Sequence, residues 1–224
     1  MLENFILIQK EKLTEDIFLL NFKRENNKKI PLCGQFMTFL LPKSGGRAYS
    51  ILDSDGENYF FIIKRLEEGR GGSKEICDTK IGTTYKAVGP AGHFILHKTE
   101  KNKLFLCTGT GFVPLYFQIL GSLKEKLSCE LKLIFGVREE KDIFLEDRLN
   151  ILKKENNNFD YKIYLSREEK ENYESGRITN FLTKENIANF EEFYICGNHD
   201  MIESVEEKLL ELGIKQEQLF TEKF

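Results

Sequence analysis

The spacing of apolar residues changes near residue 100, and a single sheet or bundle does not accommodate both patterns. Up to about residue 98, short β-branched and aromatic runs alternate with turn residues: Phe5–Ile8, Ile17–Phe22, Gln35–Leu40, Tyr59–Ile63 and Tyr85–Val88. Strands at this spacing predict a small antiparallel barrel, with one brief helix over Ser73–Asp78. From about residue 103, apolar strands at Leu104–Cys107, Leu131–Phe135, Tyr161–Leu165 and Glu192–Cys196 alternate with helical stretches near 113–126, 143–154, 178–188 and 199–212. That alternation predicts a parallel sheet with crossover helices, which binds ligands at the carboxyl ends of its strands. Lys98-Thr99-Glu100-Lys101-Asn102 is the expected joint, giving a β domain over 1–100 and an α/β domain over 101–224.

The 224 residues suffice for two domains of about 100 residues each. No run of 18 apolar residues occurs, and Met1-Leu2-Glu3-Asn4 carries no basic leader or apolar signal core, so a cytoplasmic chain without a membrane span is expected. Five dispersed cysteines without a C-x-x-C argue against a disulfide framework, zinc or an iron-sulfur cluster, and point to an organic cofactor for any electron chemistry. Three scattered histidines suggest neither a ligand set nor a hydrolytic triad. Residues 1–103 carry 17 Lys+Arg against 13 Asp+Glu, and residues 104–224 carry 16 against 23. A mildly basic first half could steer an acidic protein partner, although ordinary solubility explains the imbalance equally well. The cluster Lys23-Arg24-Glu25-Asn26-Asn27-Lys28-Lys29 reads as a solvated hairpin loop, with no interleaved aromatics to suggest nucleic acid.

Several segments carry binding chemistry. Gly109-Thr110-Gly111-Phe112-Val113-Pro114 follows the first strand of the second half and opens a helix, where glycines let a diphosphate approach backbone amides. Pro114 stands where the dinucleotide fingerprint has its third glycine, and it suits a first helical turn. Cys196-Gly197-Asn198-His199-Asp200-Met201 closes the fourth strand at the same predicted edge, either as a buried cysteine before a helix cap or as a wall for a nicotinamide. Ser166-Arg167-Glu168 follows the third strand and Gly176-Arg177 a later loop. Their forks and hydroxyl suit a 2′-phosphate, while a carboxylate there would suit a ribose diol. In the first half, Arg47-Ala48-Tyr49-Ser50 offers a cation, a ring and a hydroxyl, and Gly69-Arg70-Gly71-Gly72-Ser73 a second phosphate cradle. Gly89-Pro90-Ala91-Gly92-His93-Phe94 reads as a strand-breaking turn of purely architectural meaning.

R-x-Y-S at 47–50, G-G-S at 71–73, G-P-x-G-x-F at 89–94, G-T-G-x-x-P at 109–114, C-G-x-x-x-M at 196–201 and the final E-x-aromatic occur in the order of the ferredoxin-NADP reductase family, which the chain resembles over nearly its whole length. The resemblance implies an N-terminal antiparallel FAD-binding barrel followed by a Rossmann-like parallel-sheet NAD(P)-binding domain, in a flavoenzyme that moves hydride between NADPH and FAD. It assigns the FAD diphosphate to Arg47 beside Ala48, ring stacking to Tyr49 and proximity to flavin N5 to Ser50. It places Ile62, Ile63 and Lys64 at the pyrimidine side, and Gly71, Gly72 and Ser73 at the diphosphate. On the other domain it implies a nicotinamide nucleotide path along Thr110, Gly111 and Pro114, a nicotinamide flanked by Cys196, Gly197 and Met201, and a 2′-phosphate held by Ser166 and Arg167 with help from Arg177. Glu222 corresponds to the acid near hydride transfer and Phe224 to the aromatic that covers the flavin until nicotinamide displaces it.

The implied cofactors are FAD and NADP(H). The E-K-F ending also resembles that of NADH-using oxygenase reductases, which keeps NAD(H) open. Ferredoxin or flavodoxin is the expected partner. The alternatives are an NAD(P)H:flavin reductase that releases reduced flavin, the reductase component of an oxygenase, and a non-catalytic flavin-binding module.

Overall fold

The computed structural model describes residues 2–25 and 29–223, which divide into two compact units: residues 1–96 with 116–118, and residues 97–115 with 119–224.

The first unit is one antiparallel sheet of seven strands: β1 (Leu2–Lys12), β2 (Ile17–Arg24), β3 (Phe36–Leu41), β4 (Gly45–Ser50), β5 (Asp53–Ser54), β6 (Asn58–Lys64) and β7 (Thr84–Ala91), in the order β4-β3-β7-β1-β2-β6-β5. Alternation decides what faces inward. Phe5, Leu7, Leu20, Phe22, Phe39, Tyr59 and Phe61 form the core, with Phe22 and Phe39 at 4.8 Å and Phe39 edge-on to Phe61 at 5.2 Å. The sheet curls without closing, because β4 and β5 remain its edges, so the expected barrel is an open one. A short helix, α1 (Gly72–Asp78), packs Ile76 and Cys77 into the core. Its last turn is tied down by Lys10, whose Nζ donates to the carbonyls of Cys77 at 3.0 Å and Thr79 at 2.7 Å.

Two expectations for this unit change. Gly89, Pro90 and Ala91 do not break the strand: they belong to β7, at an irregularity where the β3 pairing shifts between Phe36 and Thr38. Arg24 is not solvated. It is buried to 7% exposure and ion-paired with Glu3, and it donates to the Tyr59 hydroxyl at 3.4 Å; residues 26–28 of the same cluster lie outside the described residues. A guanidinium can be buried this way because paired and hydrogen-bonded charge avoids most of the desolvation cost.

The second unit is a parallel six-stranded sheet of β8 (Lys103–Thr108), β9 (Leu131–Val137), β10 (Phe159–Leu165), β11 (Glu174–Ser175), β12 (Glu192–Gly197) and β13 (Leu219–Lys223), ordered β11-β10-β9-β8-β12-β13. Helices α2 (Phe112–Lys124), α3 (Glu146–Glu155), α4 (Lys184–Ile187) and α5 (His199–Glu211) connect the strands. The helix expected over 178–188 is broken: Ile178–Phe181 is a 3₁₀ turn, and α4 starts anew with Thr183 as its cap, accepting from the Asn186 amide at 3.3 Å. Leu106, Ile134 and Ile195 bury one face of the sheet with Ile202, Val205 and Leu209 of α5. At the amino edge, fully buried Lys103 donates to the Thr99 and Lys101 carbonyls at 2.7 and 2.8 Å and lies 3.5 Å from Glu192. No helix among the described residues is long and apolar enough to cross a membrane.

Candidate functional site: two half-sites, one in each unit

In the first unit, the edge strand β4 holds Arg47, Ala48, Tyr49 and Ser50. Arg47 donates through Nη1 to the Gly46 carbonyl at 2.8 Å and through Nη2 to the Arg70 carbonyl at 3.1 Å, and no carboxylate among the described residues pairs with it. Its flat course depends on Gly72, where a Cβ would stand 2.6 Å from the Arg47 Cγ and Nε. Gly71 lies in the left-handed region at φ 79°, which turns the chain into α1 without a side-chain cap. Ser73 accepts from the Leu66 amide at 3.1 Å, fixing the loop from β6 to α1. A guanidinium held by carbonyls, with its charge unpaired by any acid among the described residues, suits a phosphate anion beside a glycine turn.

The Tyr49 ring packs against the core, 6.2 Å from Phe39, and burial pushes its hydroxyl well above the usual phenol range, so it stays neutral. Ala48 is exposed and Ser50 half-buried on the same strand. Ile62 and Ile63 are buried, while Lys64 pairs with Asp16 at 2.9 Å. Because β5 pairs with β6 only at Tyr59 and Phe60, no strand among the described residues lies beside Ile62–Lys64 on that edge of β6. Peptide groups left this way suit a ligand with amide-like donors and acceptors.

In the second unit, the carboxyl ends of β8, β9 and β12 form the half-site. Thr108 leads into the Gly109–Gly111 3₁₀ turn and then α2. Gly111 lies so close to β12 that a Cβ would overlap the Cys196 carbonyl oxygen. Pro114 is buried in the first turn of α2 and Thr110 is half-buried in the turn before it. The last row of the sheet has small residues: Thr108 sits in register with Gly136, and a Cβ on Gly197 would stand 2.8 Å from the Thr108 Oγ1 and overlap Met201 Cε. The result is a shallow backbone floor along the strand ends.

One row deeper, register aligns Phe135, Cys107, Cys196 and Glu222 across four strands. Burial raises both thiols well above their ordinary values, so neither is a ready nucleophile. Burial also raises the Glu222 carboxyl from 4.5 to about 7, and no hydrogen bond or ion pair within the described residues opposes it. An acid so placed can hold or give up a proton near neutrality. Phe224 lies outside the described residues.

Ser166 and Arg167 are exposed just beyond β10; the Ser166 hydroxyl reaches the Val137 carbonyl at 3.3 Å, and the Arg167 amide donates to the Arg138 carbonyl at 2.9 Å. Arg177 is exposed after β11. Glu168 is engaged elsewhere, accepting from the Glu140 amide at 2.8 Å and pairing with Lys170 at 3.2 Å. Sequence reasoning missed Arg138, Gly136 and Thr108. A glycine inside the apolar run Leu133-Ile134-Phe135-Gly136-Val137, followed at once by an arginine, was the available signal.

Comparison with known proteins adds to this geometry. The oxidoreductase FAD-binding domain family matches residues 4–95, and the oxidoreductase NAD-binding domain family matches residues 105–207. A ferredoxin--NADP reductase B of Sorangium cellulosum is 36% identical over 154 residues, covering 66% of this chain and 63% of the relative. The toluate 1,2-dioxygenase electron transfer component of Pseudomonas putida is 28% identical over 218 residues, covering 95% of this chain and 65% of the relative. The chain therefore spans just under two thirds of the length of these two relatives. Among solved structures, a ferredoxin NADP+ reductase from Neisseria gonorrhoeae with bound FAD and NADP aligns with a TM-score of 0.85 at 20% identity, covering 99% of this chain and 98% of the other. A cytochrome P450 reductase from Amycolatopsis aligns at 0.90 and 21%, covering all of this chain and 70% of the other.

Proposed function

Since the chain belongs to the ferredoxin-NADP reductase family, we propose that it is an FAD-dependent NAD(P)H oxidoreductase that exchanges electrons with a small carrier protein, ferredoxin or flavodoxin. The observation that carries this reading is Arg47: a guanidinium bound only to carbonyls, lying over a glycine on which any side chain would displace it. That arrangement fits the diphosphate of FAD, and the flavin when bound supplies the step between two-electron hydride and one-electron carrier chemistry.

The chain's own part is binding, orientation and charge. Arg47 neutralises the diphosphate while Gly71, Gly72 and Ser73 let it approach. Tyr49 gives the isoalloxazine an apolar face with a phenol that stays protonated, and Ser50 places a hydroxyl on the same strand. The free edge at Ile62, Ile63 and Lys64 meets the pyrimidine carbonyls and imide. In the second unit, Thr110, Gly111 and Pro114 line the path of the nicotinamide nucleotide, and Cys196, Gly197 and Met201 flank the nicotinamide. Glu222 holds a proton beside Cys196. Ser166, Arg167 and Arg177, joined by Arg138, favour a 2′-phosphate and hence NADPH, because none of these arginines has a carboxylate partner among the described residues.

Stopped-flow mixing of the flavin-loaded protein with NADPH and with NADH tests the cofactor half. Faster flavin bleaching by NADPH supports it, and equal or slower bleaching than with NADH removes the preference. Electron delivery from the reduced protein to ferredoxin or flavodoxin tests the partner half. The 95% coverage by an oxygenase electron transfer component supports a second reading, the reductase component of an oxygenase; delivery to an oxygenase but to no free carrier would select it.

A further inference from the structure

The amino ends of the parallel strands, opposite the second half-site, bury an amine against a thiol. Lys103 opens β8 and Cys129 stands just before β9; they are 0% and 3% exposed, and the Lys103 Nζ lies 3.7 Å from the Cys129 Sγ. The same nitrogen donates to the Thr99 and Lys101 carbonyls at 2.7 and 2.8 Å and to the Thr99 hydroxyl at 3.1 Å, which holds it beside the sulfur. Glu192 completes the cluster. Its carboxylate is 3.5 Å from Nζ and accepts from the Thr99 hydroxyl at 2.8 Å and the Tyr194 hydroxyl at 3.0 Å.

Packing gives no reason for this grouping, because an aliphatic side chain at position 103 would fill the space without a buried charge. The chemistry of the contact does give one. Burial raises the Cys129 thiol above its ordinary value, and the Lys103 ammonium opposes that shift by charge and hydrogen bond, favouring the thiolate that oxidants attack. Ser128, the preceding residue, is exposed, so the thiol lies just beneath the surface, within reach of a molecule as small as hydrogen peroxide. A sulfenic acid formed next to a nitrogen condenses with it to a sulfenamide. Here the nitrogen is already in contact, and Glu192 stands ready to take its proton.

We propose that Lys103 and Cys129 are a modification site, a covalent nitrogen-sulfur crosslink closed by hydrogen peroxide and reopened by thiols. In the first step the Cys129 sulfur attacks peroxide: the O–O bond breaks, an S–O bond forms, and the departing hydroxide leaves as water with the thiol proton. In the second, the Lys103 ammonium passes one proton to Glu192 and its nitrogen attacks the oxidised sulfur. The S–O bond then breaks, and hydroxide leaves as a second water with another proton from the nitrogen. Sulfur has lost two electrons, one peroxide has gained them, and the linked product is neutral. Closing the link therefore removes a buried ion pair and fastens the start of β8 to the entry of β9. The site is independent of the flavin reading, although a reduced flavin that meets dioxygen is a source of the peroxide.

The test exposes the full-length protein to hydrogen peroxide, alkylates the remaining thiols under denaturing conditions and reads the digest by mass spectrometry. Alkylation at Cys129 is expected to be lost, and the peptides that carry Lys103 and Cys129 are expected to appear as one linked pair, two hydrogens lighter than the two apart. Dithiothreitol is expected to release the pair and restore the thiol. Cys129→Ser is expected to abolish the pair, and wild type unfolded in urea before the peroxide is added is expected to give none, since only the fold brings the two residues together. The mass of the wild-type pair decides the matter, so the outcome does not hang on the folding of a variant. Cys129 recovered as a free thiol, Cys129 carrying added oxygen without a bond to Lys103, or a pair formed equally in urea would overturn the proposal and leave the flavin reading untouched.

Discussion

The two units prepare for a ligand by opposite means. In the first, the proposed recognition rests on a side chain: Arg47 holds a charge in place with carbonyl partners, Gly72 gives that side chain room, and Gly71 turns the chain at positive φ. In the second, backbone carries it: the loop after β8 touches β12 so closely that Gly111 leaves no space for a methyl group, and the strand ends at Gly136 and Gly197 expose peptide rather than side chain. Charge on a flexible side chain can be lost without loss of fold. Close backbone approach cannot, because there the packing and the binding surface are the same atoms.

The largest break in that comparison is Gly111→Ala. Its Cβ would meet a strand carbonyl, so β12 or the 3₁₀ turn must shift, and a loss of about 3 kcal/mol is expected. In a protein of this size that lowers the melting temperature by roughly 10 °C. The matched change in the first unit, Gly72→Ala, has the movable Arg47 side chain as its nearest neighbour and is expected to leave the melting temperature of flavin-free protein within about 2 °C of wild type. Thermal melts of the two variants side by side check the contrast; equal destabilisation would erase it.

Next in size is Arg47→Ala. Removing one charge-assisted contact is expected to weaken FAD binding about 10- to 100-fold, while the melting temperature of the flavin-free protein stays unchanged, because Arg47 has no acid partner within the described residues. Flavin fluorescence titration and a melt on the same preparation separate the two. A fall in stability matching the fall in affinity would mean that Arg47 is structural, like Arg24.

That pair of arginines also marks how far the sequence could be read. Periodicity found the main strands of both sheets, because alternating burial is a local property of the chain. It missed the edge strands of both sheets, β4 and β5 in the first and β11 and β13 in the second, which pair on one side only and carry little apolar pattern. It joined the Ile178–Phe181 turn to α4 because nothing between them is a glycine or proline, whereas the structure breaks at Leu182–Thr183. The burial of Arg24 on Glu3 and of Lys103 near Glu192 depends on partners 21 and 89 positions away, which no local window contains. At the half-sites, turn-forming segments such as Gly71–Ser73 and Gly109–Gly111 were visible as punctuation. Arg138 was marked only by the glycine-containing apolar run before it, and its place at the edge comes from the pairing of β9 with β10.

Within the second unit, Arg167→Ala sharpens the distinction between a backbone floor and a charged rim. NADPH affinity is expected to fall about tenfold with NADH affinity unchanged, as loss of one charged hydrogen bond predicts. Competition of each nucleotide against a 2′,5′-ADP matrix and an unphosphorylated ADP matrix reads this out. A parallel loss for both nucleotides would assign Arg167 to the shared part of the ligand.

The smallest expected effect concerns acidity, where the units again oppose each other. In the first, the Asp78 carboxyl is held below its ordinary value by its hydrogen bonds with Arg65, so whatever it contributes is present at neutral pH and lost as pH falls. In the second, burial lifts Glu222 from 4.5 to about 7. Below 4.5 the folded and unfolded chains both hold that proton; between 4.5 and 7 the unfolded chain gives it up first, so stability falls as pH rises, and above 7 the loss is complete. Glu222→Gln removes the titration without adding charge. The melting temperature of wild type minus that of the variant should therefore decline by a few degrees from pH 4.5 to 7 and then level off. A flat difference would place the Glu222 carboxylate in water and withdraw it as a proton holder beside Cys196, while a difference that rises with pH would mean that a cation pairs with it, as Arg65 does with Asp78.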